Sequence, residues 1–420
     1  GASFGATAYT LQEDGGPDFG SPVTVYDGPD TSTLVPGKPN GTYYYRVKAS
    51  NAFGSSAWSD TQSVVVSSGE RIYFVPHTVA ENVDGARAVH ATDLDTDGDV
   101  DILGAALYGD AIAWWENDGS EQFTAHTIAS SFDGAEGIHA ADVDGDGDLD
   151  VLGAAREGDA ITWWENDGTE QFTPHTIASG FDGANYVHGI DLDRDGDLDI
   201  VGAAFSSGAI TWWENDGFEV FAGHPIAIDF HGVEFAHVAD LDGDGDLDVL
   251  GASPAISDLA WWENDGSQGY DKHILADDFL GAVAVDTADV DGDGDLDVLG
   301  AAAGDDRIAW WRNEGSVTFT PFVVGTGFDN AVSVYGADID GDGDMDILGA
   351  SSLLPRISWW ENDGNAQFVE NVISSSFDGA FSVEAVDVDV DGDGALDVVG
   401  AALYADAIAW WEQRSAAGTQ

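Results

Sequence analysis

The chain has 420 residues, 79 of them acidic and 12 basic, which gives a formal charge of −67 alongside an ordinary 43% of hydrophobic residues. A surface of that sign repels nucleic acid and anionic membranes, and no apolar run approaches the ~20 residues of a membrane-spanning helix. With no cysteine, disulfides, thiol catalysis and thiolate metal sites are excluded.

The chain starts abruptly at Gly1 without a visible signal segment, so it reads as a processed product or an excised piece of something longer. Residues 1–68 are expected to form a small domain of their own. The run Gly41-Thr42-Tyr43-Tyr44-Tyr45-Arg46-Val47-Lys48-Ala49, followed by Asn51, Gly54, Ser55, Trp58 and Ser59, resembles the last part of a fibronectin type III domain. About five strands are expected where such a sandwich has seven. The resemblance therefore implies a small incomplete β-sandwich, cut from a longer chain or completed by a partner's strand. An open sheet edge of this kind would suit self-association through residues 1–68.

Residues 69–414 repeat one unit, leaving 415–420 as a tail. The pattern Asp-x-Asp-x-Asp-Gly-x-x-Asp opens at Asp93, Asp142, Asp191, Asp240, Asp289, Asp338 and Asp389; the first six openings are 49 residues apart and the last is 51. A Trp-Trp pair keeps step, beginning at Trp114, Trp163, Trp212, Trp261, Trp310, Trp359 and Trp410. In the second unit, residues 138–141 are β-like and 142–150 form the acidic loop. An apolar run follows at 151–155, then the Trp-Trp strand at 160–165, the hairpin signal Asn166-Asp167-Gly168, and a last strand at 171–177. Four short strands recurring at this period, with no helical pattern, predict an all-β fold: a seven-bladed β-propeller with four-stranded blades.

The chain ends suggest how such a ring closes. After Trp410-Trp411 no hairpin turn follows, and the run Tyr73-Phe74-Val75-Pro76-His77-Thr78-Val79 is a last strand with no Trp pair before it. This N-terminal strand is expected to pair with the Trp410 strand and hide a sheet edge. Adjacent residues of a strand face opposite ways, so the Trp pairs are read as plugs on both sides of each blade rather than as sugar platforms.

The loops carry the metal chemistry. Carboxylates at alternate positions converge on one ion when the chain curls, Gly permits the sharp turn, and all-oxygen ligation selects a hard cation such as Ca²⁺. Positions one, three, five and nine are Asp in every loop. Position seven is Asp in six loops and Ala395 in the last, the tolerance expected of a ligand that acts through its backbone carbonyl. The candidate ligands are Asp93, Asp95, Asp97, Asp99 and Asp101 in the first loop, and Asp142, Asp144, Asp146, Asp148 and Asp150 in the second. The third has Asp191, Asp193, Asp195, Asp197 and Asp199, and the fourth Asp240, Asp242, Asp244, Asp246 and Asp248. The fifth has Asp289, Asp291, Asp293, Asp295 and Asp297, the sixth Asp338, Asp340, Asp342, Asp344 and Asp346, and the seventh Asp389, Asp391, Asp393, Ala395 and Asp397. About seven Ca²⁺ ions in a structural role are expected, one per blade.

The run of residues 141–155, Ala-Asp-Val-Asp-Gly-Asp-Gly-Asp-Leu-Asp-Val-Leu-Gly-Ala-Ala, resembles an FG-GAP/VCBS-type repeat, and the resemblance extends over about residues 70–414. It implies a seven-bladed propeller with calcium between the first and second strands of each blade. Asp142, Asp144, Asp146 and Asp150 would serve through side chains and Asp148 through its carbonyl. Thr96 and Arg194 stand where most copies have Gly, at a position that is not a ligand.

The calcium face hardly varies between units, whereas the opposite face does, and a ligand is expected there. Its candidates from the start of each unit's first strand are Arg87, His90, His139, Tyr186, His188, Phe235, His237, Asp286, Tyr335 and Phe381, with Glu136, Glu234 and Glu384 beside them. The loops after the second strands add Tyr108, Arg156, Phe205 and Tyr404. The series His90, His139, His188 and His237 reads as a packed, hydrogen-bonded ring. The outer series His77, His126, His175, His224 and His273 reads as plain edge-strand surface. The leading functional expectation is a secreted, calcium-stabilised module at the cell surface that binds glycans or surface polymers, as a lectin or adhesin does. A self-assembling extracellular subunit is the second reading. A polysaccharide lyase or hydrolase is the third, with no residue set confined to one catalytic pocket.

Overall fold

The computed structural model describes residues 6–17, 19–31, 35, 41–66, 71–315, 317–389 and 394–416. The chain divides into two compact units, Gly1–Tyr73 with Ser415–Gln420, and Phe74–Arg414. All regular structure among the described residues is β-strand.

In the first unit the long strand Gly41–Asn51 lies at the centre. It pairs with Ala8–Asp14 on one side, which pairs in turn with Val23–Gly28; on the other side it pairs with Gly54–Ser55 and Gln62–Val66. These five strands make one sheet, so the two-layered sandwich expected for residues 1–68 is not formed by the described residues. Strand alternation aligns Arg46 and Lys48 on one face, where Arg46 lies 4.1 Å over Phe19 and 4.7 Å over Trp58, and Lys48 lies 4.7 Å over Trp58.

The second unit is built from four-stranded antiparallel sheets, which gives the repeated blade of a β-propeller. Its first sheet runs Ala86–Thr92, Asp101–Ala106, Ala111–Asn117 and Phe123–Ala129 in spatial order, and five more sheets follow in the same order. A further sheet holds Ala380–Val386, Asp397–Ala402 and Ala407–Ala416, with Arg71–Glu81 beside the last of these. The second strand of each sheet is buried at all six positions. Its small residues let the large aromatics in: a Cβ at Gly153 would come within 2.8 Å of the Trp164 ring and 2.9 Å of Phe132.

Each Trp pair splits between two junctions, as alternation along a strand requires. Trp164 packs with Leu94, Leu103 and Trp114 of the preceding sheet, and Trp163 packs with Val187, Ile200 and Trp213 of the following one. Trp163 is 1% exposed and Trp164 is 4% exposed, which leaves no face for a sugar. Burying one such ring is worth roughly 4–6 kcal/mol of transfer free energy. The same kind of cluster joins Val399, Ile408 and Trp410 to Ala86, Ile102 and Trp115.

The outer histidines are more than plain surface. His126 stacks on Trp114 at 4.7 Å and its Nε2 meets Glu116 at 2.8 Å; His77, His175 and His273 repeat the arrangement on Trp410, Trp163 and Trp261. Each imidazole covers the face of a buried indole while its polar atom reaches a carboxylate.

Candidate functional site

Two sets of residues stand out, one on each face of the second unit. On the first face, each of the first six acidic loops is folded by its own carboxylates. In the second loop the amide of Gly147 donates to Asp142 Oδ2 at 3.1 Å, that of Asp146 to Asp144 Oδ1 at 3.1 Å, and that of Asp148 to Asp146 Oδ1 at 3.0 Å. Each of these residues thus spends one oxygen on the backbone and keeps the other. Asp142 Oδ1, and the equivalent Asp93 Oδ1 and Asp191 Oδ1, are buried without a hydrogen-bond partner. Oxygens of Asp142, Asp144 and Asp146 approach within 4.8 Å of one another, as do those of Asp93, Asp95 and Asp101, of Asp191, Asp193 and Asp199, and of Asp240, Asp242 and Asp248.

The ninth residue has a structural duty that its spacing did not reveal. Asp150 is fully buried; its Oδ2 accepts the Val143 amide at 2.9 Å and its Oδ1 the Asn166 amide at 2.8 Å. Asp101, Asp199, Asp248, Asp297 and Asp346 repeat the pair of bonds, and Asp397 makes them to Val388 and Gln413. Burial, partly offset by these amides, pushes the Asp150 carboxyl up to about 7 and that of Asp346 to about 8.

The seventh residue turns its side chain away from the loop. A Cβ at Gly168 would collide with the Asp148 carboxylate, and the same holds for Gly119 with Asp99, Gly217 with Asp197, Gly266 with Asp246 and Gly364 with Asp344. The Asp at position seven therefore lies against the Asn-Asp-Gly turn. In the seventh repeat that turn is absent, and there the position is Ala395.

The seventh loop is set differently from its sequence register. The amide that reaches Asp397 Oδ2, at 2.9 Å, is that of Val388. Val388 therefore occupies the place of Leu94 and Val143, and Asp387 rather than Asp389 is the first residue of the loop. Two extra residues lie between Val388 and Asp397, and Asp391 and Asp393 fall outside the described residues. The signal was present: 49 residues after Asp338 is Asp387, not Asp389.

On the opposite face, the first strands of the sheets surround a cavity of about 360 Å³. Ten of the fourteen expected ligand-face residues line it: Arg87, His90, His139, Tyr186, His188, Phe235, His237, Asp286, Tyr335 and Phe381. Tyr108, Arg156, Phe205 and Tyr404 do not. They sit on the loops after the second strands, which bond to the preceding connection, as Leu107 N does to Gly85 O at 2.9 Å and Leu403 N to Gly379 O at 2.9 Å. Tyr108 and Tyr404 are 60% and 55% exposed there. Arg156 lies 4.4 Å over Phe205 and donates to Glu136 at 3.0 Å.

Arg87 is a buried part of the cavity lining. It forms ion pairs with Glu136 and Glu234 while its guanidinium lies 3.3 Å from the centre of the Phe381 ring. Burial raises the Glu234 carboxyl, opposed by Arg87. Three residues further along their strands, His90 stacks on His139 at 4.8 Å and His139 lies tilted against His188 at 4.1 Å. His139 Nδ1 accepts the amide of Gly189 at 3.4 Å, so its proton is on Nε2. Glu384 and Asp286 do the same service, taking the amides of Ala91 at 3.0 Å and Gly336 at 2.8 Å. This tier is a series of acceptors, each latched to the next sheet. Burial and neighbouring imidazoles hold His139 well below the usual range and His188 at about 3, whereas Glu384 raises His90 against the effect of burial.

Asn185 was not among the expected ligand residues. It is 5% exposed, lines the cavity, and donates through Nδ2 to Val233 O at 3.1 Å and Glu234 O at 3.0 Å, which leaves Oδ1 buried without a partner. It stands 49 residues after Glu136 and 49 before Glu234, so its place was legible from the repeat.

No curated protein is significantly similar to the chain. Among solved structures, an Agrocybe aegerita lectin described as recognising non-reducing terminal N-acetylglucosamine aligns over 89% of this chain and 92% of its own, at 18% identity and a TM-score of 0.49. A protein from Lactobacillus plantarum aligns over 88% of this chain and 96% of its own, at 11% identity and a TM-score of 0.52, a likeness of fold. The FG-GAP-like repeat matches residues 93–153, 142–202, 191–251, 240–300, 289–349 and 338–392. These six overlapping matches span more than half of the sequence, and the chain belongs to the FG-GAP-like repeat family as a repeat β-propeller.

Proposed function

We propose that the chain is a calcium-stabilised binding module, with seven blades in a closed ring and a glycan or surface polymer as the ligand of its variable face. The observation that carries the reading is the contrast between the two faces. One repeats the same carboxylate loop in every unit; the other surrounds a cavity with residues that differ from unit to unit and exposes Tyr108 and Tyr404 beside it. Exposed aromatic faces next to hydrogen-bonding groups suit a sugar ring, which has an apolar face and a polar edge.

Closure is supported by the cluster that unites Trp410 with Trp115 and by Arg71–Glu81 lying beside Ala407–Ala416. Calcium is supported by the unpartnered buried oxygens of Asp93, Asp142 and Asp191, which a cation would satisfy. Positions one, three, five and nine would hold it, with position seven through its carbonyl; in the last loop Asp387 takes the first place. Bound calcium supplies positive charge that lets the crowded carboxylates stay together. Millimolar calcium and the absence of cysteine suit an extracellular or cell-surface setting, where such modules bind at about 10⁻⁴–10⁻³ M.

The test is a glycan and polysaccharide array with calcium-loaded protein, repeated with Tyr108→Ala, Tyr404→Ala and Arg156→Ala. Selective binding lost in these variants supports the module and locates its face; no binding to any polymer would sink the glycan assignment. A second reading, assembly through residues 1–68, is favoured by Val23–Gly28, an edge strand paired on one side only among the described residues.

A further inference from the structure

The cavity behind Arg87 is unevenly furnished. One wall carries Asp286, Tyr335 and Glu384, from three consecutive sheets, and both carboxylates act on the Tyr335 hydroxyl. The facing wall carries His139 and His188, which burial keeps neutral. The charges of Arg87 and Arg156 are matched by Glu136 and Glu234. Elsewhere in the cavity the ion-pair partners of Asp286 and Glu384, among the described residues, are His237 at 3.5 Å and His90 at 3.4 Å, and each carboxylate retains acceptor capacity after taking one backbone amide. Asn185, in register with Glu136 and Glu234, holds one more unpartnered acceptor in its Oδ1, which is buried away from the open space.

Two carboxylates with spare acceptor capacity thus share a half-enclosed, partly aromatic space in which, among the described residues, neither pairs with a lysine or an arginine. The protein already holds one such cation in the same lining: the Arg87 guanidinium, paired with two carboxylates and laid on Phe381. About 360 Å³ lies within the range of small-molecule pockets.

We propose that the cavity is a binding site for a small organic cation bearing N–H donors, an alkylammonium or alkylguanidinium, held by Asp286 and Glu384 against Tyr335. The site is separate from the exposed rim assigned to a polymer, and it stands or falls independently of that assignment.

The probes are agmatine, which carries guanidinium and ammonium groups, choline, which is cationic without an N–H, and glycerol, which is neutral. Calorimetric titration of the whole chain in saturating calcium is compared with the double variant Asp286→Asn, Glu384→Gln. Both changes keep an oxygen for the Gly336 and Ala91 amides, so the fold is retained, which the thermal midpoint and calcium stoichiometry check. Saturable binding of one agmatine per chain is expected, weaker by about tenfold or more in the double variant, as the loss of a charged hydrogen bond implies. Choline is expected to bind less tightly than agmatine, and glycerol not at all. The absence of saturable agmatine binding, undiminished binding in the double variant, or choline and agmatine binding equally would each overturn the proposal. Attraction to the acidic surface alone predicts the second of these outcomes.

Discussion

Asp150 Oδ1 accepts the backbone amide of Asn166 at 2.8 Å, and so ties the end of an acidic loop to the turn after the Trp-Trp strand. Its other oxygen takes the amide of Val143 at 2.9 Å, at the start of the same loop. One buried carboxylate therefore organises three segments before any ion is considered. Asp150→Ala leaves two buried amides without acceptors and is expected to cost roughly 2–5 kcal/mol. Urea unfolding in the presence of chelator isolates this effect from ion binding; an unchanged midpoint there would reduce Asp150 to a ligand alone.

Removing calcium is expected to lower the thermal unfolding midpoint. Each site adds about 2.7 kcal/mol when free calcium is a hundredfold above its dissociation constant. A scan with and without chelator checks this, and coincident curves would refute the assignment of the loops.

The seventh loop offers a separate check. With Asp387 as its first residue, Asp387→Asn is expected to reduce bound calcium by one equivalent in equilibrium dialysis. Were Asp389 the first residue, Asp387 would stand outside the loop and the stoichiometry would not change.

Arg87→Ala leaves Glu136 and Glu234 buried with less positive charge to face. A loss of about 3–5 kcal/mol is expected, as when one partner of a buried pair is removed. Adding Glu234→Gln is expected to recover part of it, measured as a double-mutant cycle in denaturant.

His188 makes stability depend on pH. Its folded pKa of about 3 lies below the unfolded value of about 6.5. Between these values the unfolded chain binds the extra proton, so stability is retained above about pH 6.5 and declines as pH falls toward 3. The contribution is about 1.4 kcal/mol per pH unit in that window. His188→Gln is expected to flatten the profile by that slope between about pH 6 and 4, and parallel profiles would contradict a neutral buried imidazole.

The repeat made much of this legible in advance. The Trp pairs, the four strands of each unit, the acidic loops and ten of the cavity residues all follow from period and alternation. What escaped was position within the loop and rank within the cavity. Spacing marked Asp150 as a candidate ligand but could not show that its two oxygens also take the backbone amides of Val143 and Asn166. Asp389 was given the place of Asp387 because both precede a Val and an Asp, and only the hydrogen bond from Val388 to Asp397 tells them apart.

By itself the sequence determined the blade, since strand alternation and hairpin turns act between neighbours in the chain. It also determined that the seven units are nearly equivalent, since a period needs no coordinates to be seen. The tertiary structure alone decided which equivalent residues meet. Arg87, Glu136, Glu234 and Phe381 come from four different sheets and become neighbours only when those sheets surround a common space. For the same reason the unpartnered Oδ1 of Asn185 could not be read from composition. A polar atom is satisfied or orphaned by what is packed against it, and that is a property of the assembled fold.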